Sequence, residues 1–167
     1  VSRVLADTIG FTDGRIFQPS PAETNPDGGY GWVIESDRPL GDLYHGISQL
    51  PGFQGALLNY DRQTKASEPM GTTAFWGGSW DHDQLPRLLE QEIQTLVAGE
   101  IRYHDQEELR AYGIRSHAIG HDVSEAPVLM PWAEKLRELV NQETDEAVTI
   151  TVYDRLSDGG LIQYNEG

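Results

Sequence analysis

Apolar and polar positions along this 167-residue chain are spaced in ways that predict a mixture of helices and strands. Ile9 and Phe11 stand before Asp13-Gly14, with Ile16 and Phe17 after it, which predicts a hairpin over residues 4–18. Pro19 to Gly31 is rich in proline and glycine and reads as a loop. Trp32-Val-Ile-Glu-Ser is a short strand. Leu40, Leu43, Ile47 and Leu50, three or four apart, predict a helix from Pro39 to Leu50, stopped by Pro51-Gly52. Apolar strands are expected at Gly55–Asp61 and Thr72–Trp80, with Gly77-Gly78 marking a bulge or a close backbone approach. The longest stripe, Leu85, Leu88, Leu89, Ile93, Leu96 and Val97, predicts a helix capped by Asp81 or Asp83 and ended by Gly99. Beyond it the pattern gives a strand at Glu100–His104, a helix from Asp105 towards Gly113 and a strand at Ile114–His121. A helix over Pro131–Asn141 presents Trp132, Leu136, Leu139 and Val140 on one face. A last hairpin, Val148–Leu156 with Leu161–Tyr164, is turned by Asp158-Gly159-Gly160.

From Trp32 onward the order is strand, helix, strand, strand, helix, strand. That order predicts an α+β fold with a ferredoxin-like split βαβ sheet, helices on one face and a hairpin added at each end. The core would cover residues 32–104, and residues 114–164 echo the same topology as a degenerate second unit. No linker divides the chain, so a single domain over 1–167 is the economical expectation.

Charge narrows the choice of partner. With 27 acidic against 12 basic side chains, net −15, there is no basic cluster to displace counterions from a phosphate backbone. Direct nucleic-acid or membrane binding is therefore not expected. The acidity serves solubility or suits a basic protein partner. Cysteine is absent, which removes disulfides, thiolate catalysis and cysteine-ligated metals. No signal segment or membrane span is evident, and a cytoplasmic setting is expected.

Candidate chemistry is sparse. His45 on the first long helix and His82 between Asp81 and Asp83 are the candidate acid–base residues. Asn59, among apolar neighbours, is a buried polar group fit to orient a substrate oxygen. Trp76 and Trp80 share a strand face with Gly78 between them and would wall a slot for a planar ligand, or simply fill the core. His117, His121 and Asp122 suggest a metal set, but on a strand the two histidines lie about 13 Å apart, so no metal site is assigned. No phosphate loop, dinucleotide fingerprint, nucleophile elbow or HExxH motif occurs, and no cofactor is expected.

His45-Gly46-Ile47 with Leu50, Gly52-Phe53 and Gly55, then an apolar strand and a strand ending in Trp80, resembles the antibiotic-biosynthesis-monooxygenase-like superfamily over residues 32–98. The resemblance implies a dimeric α+β barrel, hence a homodimer, with a pocket between sheet and helices. Heme-degrading members carry an asparagine on the first strand and a histidine on the second helix. Trp32-Val-Ile-Glu-Ser and Gln84–Ala98 lack both, so heme chemistry is not expected. The resemblance implies a cofactor-independent monooxygenase or cyclase acting on an aromatic or polyketide-like small molecule. The alternative is a non-catalytic acidic protein that inhibits or adapts a basic partner.

Overall fold

Five strands lie side by side in chain order, β1-β2-β3-β4-β5. The computed structural model describes residues 1–21, 28–55, 64–143 and 148–153. Within them the chain runs α1 (Ser2–Thr8), β1 (Arg15–Pro19), β2 (Gly29–Pro39), α2 (Leu40–Ser48), β3 (Pro69–Ser79), α3 (Leu85–Glu90), β4 (Thr95–Glu100), α4 (Tyr103–Ala111), β5 (Arg115–Ala118), α5 (His121–Glu125) and α6 (Leu129–Glu143). β1, β2 and β3 pair antiparallel; β3, β4 and β5 pair parallel. Parallel neighbours need a crossover, and α3 and α4 supply it.

Side-chain alternation sends successive residues to opposite faces. Ile34, Phe75 and Val97 pack with Leu5 of α1, Leu43 and Ile47 of α2 and Val123 of α5. Val33, Ala74, Trp76, Leu96 and Ala98 pack with Leu85 and Leu88 of α3 and Leu109 of α4. Helices thus cover both faces. The α+β class is as the sequence implies, but the split arrangement with helices on one face is not. In a split unit a third strand separates the parallel pair, whereas here each parallel strand lies directly beside the next.

Two elements differ from the sequence expectation for physical reasons. Residues 2–8 are helical rather than half of a hairpin. Leu5, Ala6 and Ile9 share one buried helix face, and the Thr8 hydroxyl donates to the Val4 carbonyl at 2.7 Å. The stripe from Leu85 to Val97 is divided: α3 stops at Glu90, Glu92 turns the chain at φ 52°, and Thr95–Glu100 forms β4. Thr95 to Gly99 are all buried, as a strand covered on both faces requires. Such a run has no period-two signature, and Leu96 and Val97 continue the helical stripe of α3.

The expected strand over 100–104 is the end of β4 and the start of α4. Residues 148–153 carry no regular structure, and the rest of the terminal hairpin lies outside the described residues, as does the strand expected over 56–61. Helices α2, α4 and α6 and strands β3 and β5 fall where the pattern puts them. Among the described residues, no helix is long and apolar enough to cross a membrane.

Candidate functional site

β3 breaks its ladder just before it ends. Its register against β4 shifts between Trp76, opposite Ala98, and Ser79, opposite Glu100. Gly77 and Gly78 fall in that break, and their N–H groups turn to the hydroxyls of Ser2 (3.0 Å) and Ser124 (2.9 Å). Gly78 adopts φ +76°, which favours glycine. A Cβ there would stand 2.8 Å from Glu125 Oε1 and 3.3 Å from His121 Nε2. The bulge therefore makes room for a histidine and a carboxylate at the strand end.

Three side chains meet at that spot. Glu100 ends β4, His121 opens α5 directly after β5, and Glu125 follows one helical turn later. The His121 imidazole lies between the two carboxylates. Nδ1 is 3.4 Å from Glu100 Oε2 and Nε2 is 3.4 Å from Glu125 Oε2. Ser79 donates its hydroxyl to Glu100 at 2.6 Å. That hydrogen bond first, and the neighbouring His121 second, hold the Glu100 carboxyl below the usual range. The cluster occupies the crevice outside the carboxyl ends of parallel strands, where ligands of open α/β sheets bind. A cleft of about 720 Å³ adjoins it, lined by Arg3, Tyr30, Trp32, Trp76 and Gly77 and bounded by Glu125. Tyr30 stacks on Trp76 at 6.5 Å, and the Arg3 guanidinium lies 5.3 Å from the Trp32 ring centre.

The residues singled out from the sequence are dispersed. His45 is exposed on the last turn of α2. His82 stands in the single turn after β3 and faces Asp105 and Glu108 of α4, not Glu125. Trp76 and Trp80 meet edge-on at 5.1 Å, both largely buried, with the Trp76 indole N–H donating to the Ser79 carbonyl at 2.9 Å. Trp76 is the one of these that lines the cleft. Asn59 lies outside the described residues. His117 is buried on β5, so it and His121 do not form a pair. Glu100 and Glu125 escaped sequence reasoning. The available signal was His121 and Glu125 four apart behind Gly120, a spacing that aligns them once a helix starts there.

Comparison with known proteins changes the kinship suggested by the sequence. The model of the family described as Duf34/NIF3 (NGG1p interacting factor 3) matches residues 1–157. No curated protein matches the chain. Among solved structures, the Staphylococcus aureus hypothetical protein SA1388 superposes with a TM-score of 0.66 at 15% identity, covering 89% of this chain and 63% of that one. Reduced HcgD from Methanocaldococcus jannaschii gives 0.62 at 12% identity, covering 82% of this chain and 50% of that one. At such identities the likeness shows the fold, and this chain spans less than two thirds of either neighbour's length. The monooxygenase-like kinship, its dimeric barrel and the oxygenase or cyclase activity drawn from it are thereby overturned, because the matching family and folds are of NIF3 type. Nothing in these matches supports the acidic inhibitor alternative.

Proposed function

Since the chain belongs to the Duf34/NIF3 family, we propose that it binds a divalent first-row metal ion through His121 and Glu125 and presents that ion to a ligand in the adjoining cleft. The observation that carries this is the imidazole held between two carboxylates beside a glycine bulge. Imidazole nitrogen with carboxylate oxygen is a donor set for zinc, iron, manganese or cobalt. His121 and Glu125 stand 3.4 Å apart on one helix turn, close to the edge of a coordination shell. Glu100 then takes the place of the second carboxylate that orients a ligating imidazole through its other nitrogen. Among the described residues no three ligand-type side chains converge on one point. With two protein donors, the ion would keep coordination positions open for water and for a bound ligand. When bound, the ion would act as a Lewis acid towards an oxygen of that ligand.

Calorimetric titration of the protein with Mn²⁺, Co²⁺ and Zn²⁺ tests the assignment. His121→Ala and Glu125→Gln should each weaken binding by tenfold or more, and Glu100→Gln by about tenfold with binding retained. Equal affinity in all three variants and the parent would refute it.

A protein partner is the second reading. The family description names an NGG1p interacting factor, and α6 leaves Trp132 62% exposed, with exposed Leu139 two turns on along the same face. Aromatic side chains of this kind dominate binding energy at interfaces. If α6 is the docking face, Trp132→Ser should abolish recovery of the partner while the metal titration is unchanged; equal recovery by both proteins would exclude α6.

A further inference from the structure

The bulge that makes room for His121 and Glu125 also fixes a second charge at the same cleft. The Gly77 N–H donates to the Ser2 hydroxyl at 3.0 Å, and the Gly78 N–H donates to the Ser124 hydroxyl oxygen at 2.9 Å. One break in β3 thus ties α1 and α5 to the same strand end. Arg3 comes directly after Ser2 and Glu125 directly after Ser124, and both border the cleft. A cation and an anion therefore share one space, each set by a neighbouring serine bonded to the bulge.

Much of the remaining border is aromatic ring and bare backbone. Tyr30, Trp32 and Trp76 supply the rings. Tyr30 and Trp76 lie within 22° of parallel, and Tyr30 is 64% exposed, so most of its ring surface is open to solvent. The Arg3 guanidinium stands 5.3 Å from the Trp32 ring centre, which keeps its positive charge beside the ring wall. Its Nε is 3.6 Å from Asp7, in ion-pair range but longer than a hydrogen bond, and the side chain is 67% exposed. The guanidinium donors therefore remain open to an incoming anion, and their fork fits two oxygens of a carboxylate or phosphate. A chain of net charge −15 repels small anions over its surface at large, so an anion that binds needs a local cation of this kind. Flat ring walls select flat partners, and a cleft of about 720 Å³ has the size of a small-molecule site.

We propose that the cleft binds a small anion built on a planar, unsaturated ring, with its carboxylate or phosphate on Arg3 and its ring against Tyr30 and Trp32. The proposal rests on the metal reading only for the ligand's other end, where an oxygen would reach the ion held by His121 and Glu125. The ring and anion contacts need no ion.

The test is calorimetric titration of the full chain, first stripped of metal by a chelator, with 2-naphthoate, 2-naphthyl phosphate, uncharged 2-naphthol and non-planar cyclohexanecarboxylate. Both naphthalene anions should bind, and the tighter of them tells carboxylate from phosphate. Naphthol and cyclohexanecarboxylate should each bind about tenfold more weakly than that anion. Arg3→Gln should weaken the naphthalene anions about tenfold and leave naphthol unchanged. Tyr30→Ser should weaken all three naphthalene compounds about threefold, with Tyr30→Phe restoring them. Arg3 and Tyr30 are exposed, so neither substitution opens the core. The proposal is overturned if neither naphthalene anion binds, if naphthol or cyclohexanecarboxylate binds as tightly, or if either Arg3→Gln or Tyr30→Ser leaves the affinities unmoved. Titration with Mn²⁺ separates this from the metal reading. Naphthalene-anion binding that depends on Arg3 and Tyr30, without Mn²⁺ uptake, upholds the ligand class and refutes the ion. Mn²⁺ uptake lost in His121→Ala, without naphthalene binding, refutes the ligand class and leaves the ion standing.

Discussion

Acidification should destabilise this fold through His117 before it reaches most of the carboxylates. His117 is 3% exposed on β5, and among the described residues neither ring nitrogen has a hydrogen-bond partner. Tyr44 of α2 meets it edge-on at 5.2 Å and also buries an unpartnered hydroxyl. Arg115, two residues earlier on β5, bonds to Thr95 and Met70 and pairs with Glu68 at 3.8 Å. Burial first, and the Arg115 charge second, push the His117 pKa down to about 4 from 6.5. The folded protein therefore binds this proton less readily than the unfolded chain. The stability contribution is present in full above about pH 6.5 and is lost as pH falls towards 4. Two protonation equilibria with those midpoints remove about 2 kcal/mol between pH 7 and pH 5. For a chain of this length that is a fall of about 4–8 °C in melting temperature. His117→Leu supplies the comparison, because it deletes both unpartnered nitrogens at similar volume. At pH 7 it should be neutral or stabilising, since no hydrogen bond is lost. Urea unfolding of both proteins at pH 7, 6 and 5 measures the difference in slope. If the variant loses stability with pH as steeply as the parent, or if His117 titrates near 6.5 by NMR, the reasoning fails.

Three further outcomes test the site. Gly78→Ala should cost about 1–2 kcal/mol in a urea melt, from its φ of +76°, and weaken metal binding at least tenfold, because its Cβ meets Glu125 at 2.8 Å. Ser124→Ala strips the Gly78 N–H of its partner and should destabilise by about 1–3 kcal/mol, with the fold kept by circular dichroism. Ser79→Ala removes the first cause of the lowered Glu100 pKa, so the Glu100 carboxyl tracked by ¹³C NMR should titrate at higher pH than in the parent; an unmoved midpoint would put the cause elsewhere.

Much of the fold was legible where the pattern had only one structural solution. The i, i+3, i+7 spacing of Leu40, Leu43 and Ile47 fits nothing but a helix face, and all three side chains are fully buried. β3 was equally readable, and so was its bulge, because two adjacent glycines inside an apolar strand have few other uses. Reading failed where burial on two faces hides the period. Leu96 and Val97 belong to a central parallel strand, yet continue the leucine spacing of α3 across the turn at Glu92. The error carried into topology, since a missing β4 conceals the parallel half of the sheet.

The candidate site was less legible for the same reason. Glu100, His121 and Glu125 lie up to 25 positions apart, and nothing local relates them. Their meeting results from adjacency. β3, β4 and β5 run parallel as neighbours, so the residues at their carboxyl ends all emerge at one end of the sheet. Ser79, Glu100 and His121 are the residues at those three exits. Helices on both faces bury β4 from Thr95 to Gly99, and Glu100 at its carboxyl end is the residue of that strand that meets solvent. A second consequence is that the exits of β3 and β4 also deliver His82 and Asp105 to one another. Two polar clusters, each built around a histidine against a carboxylate, thus arise from one topological fact, and a substitution that shifts the register of β4 should disturb both together.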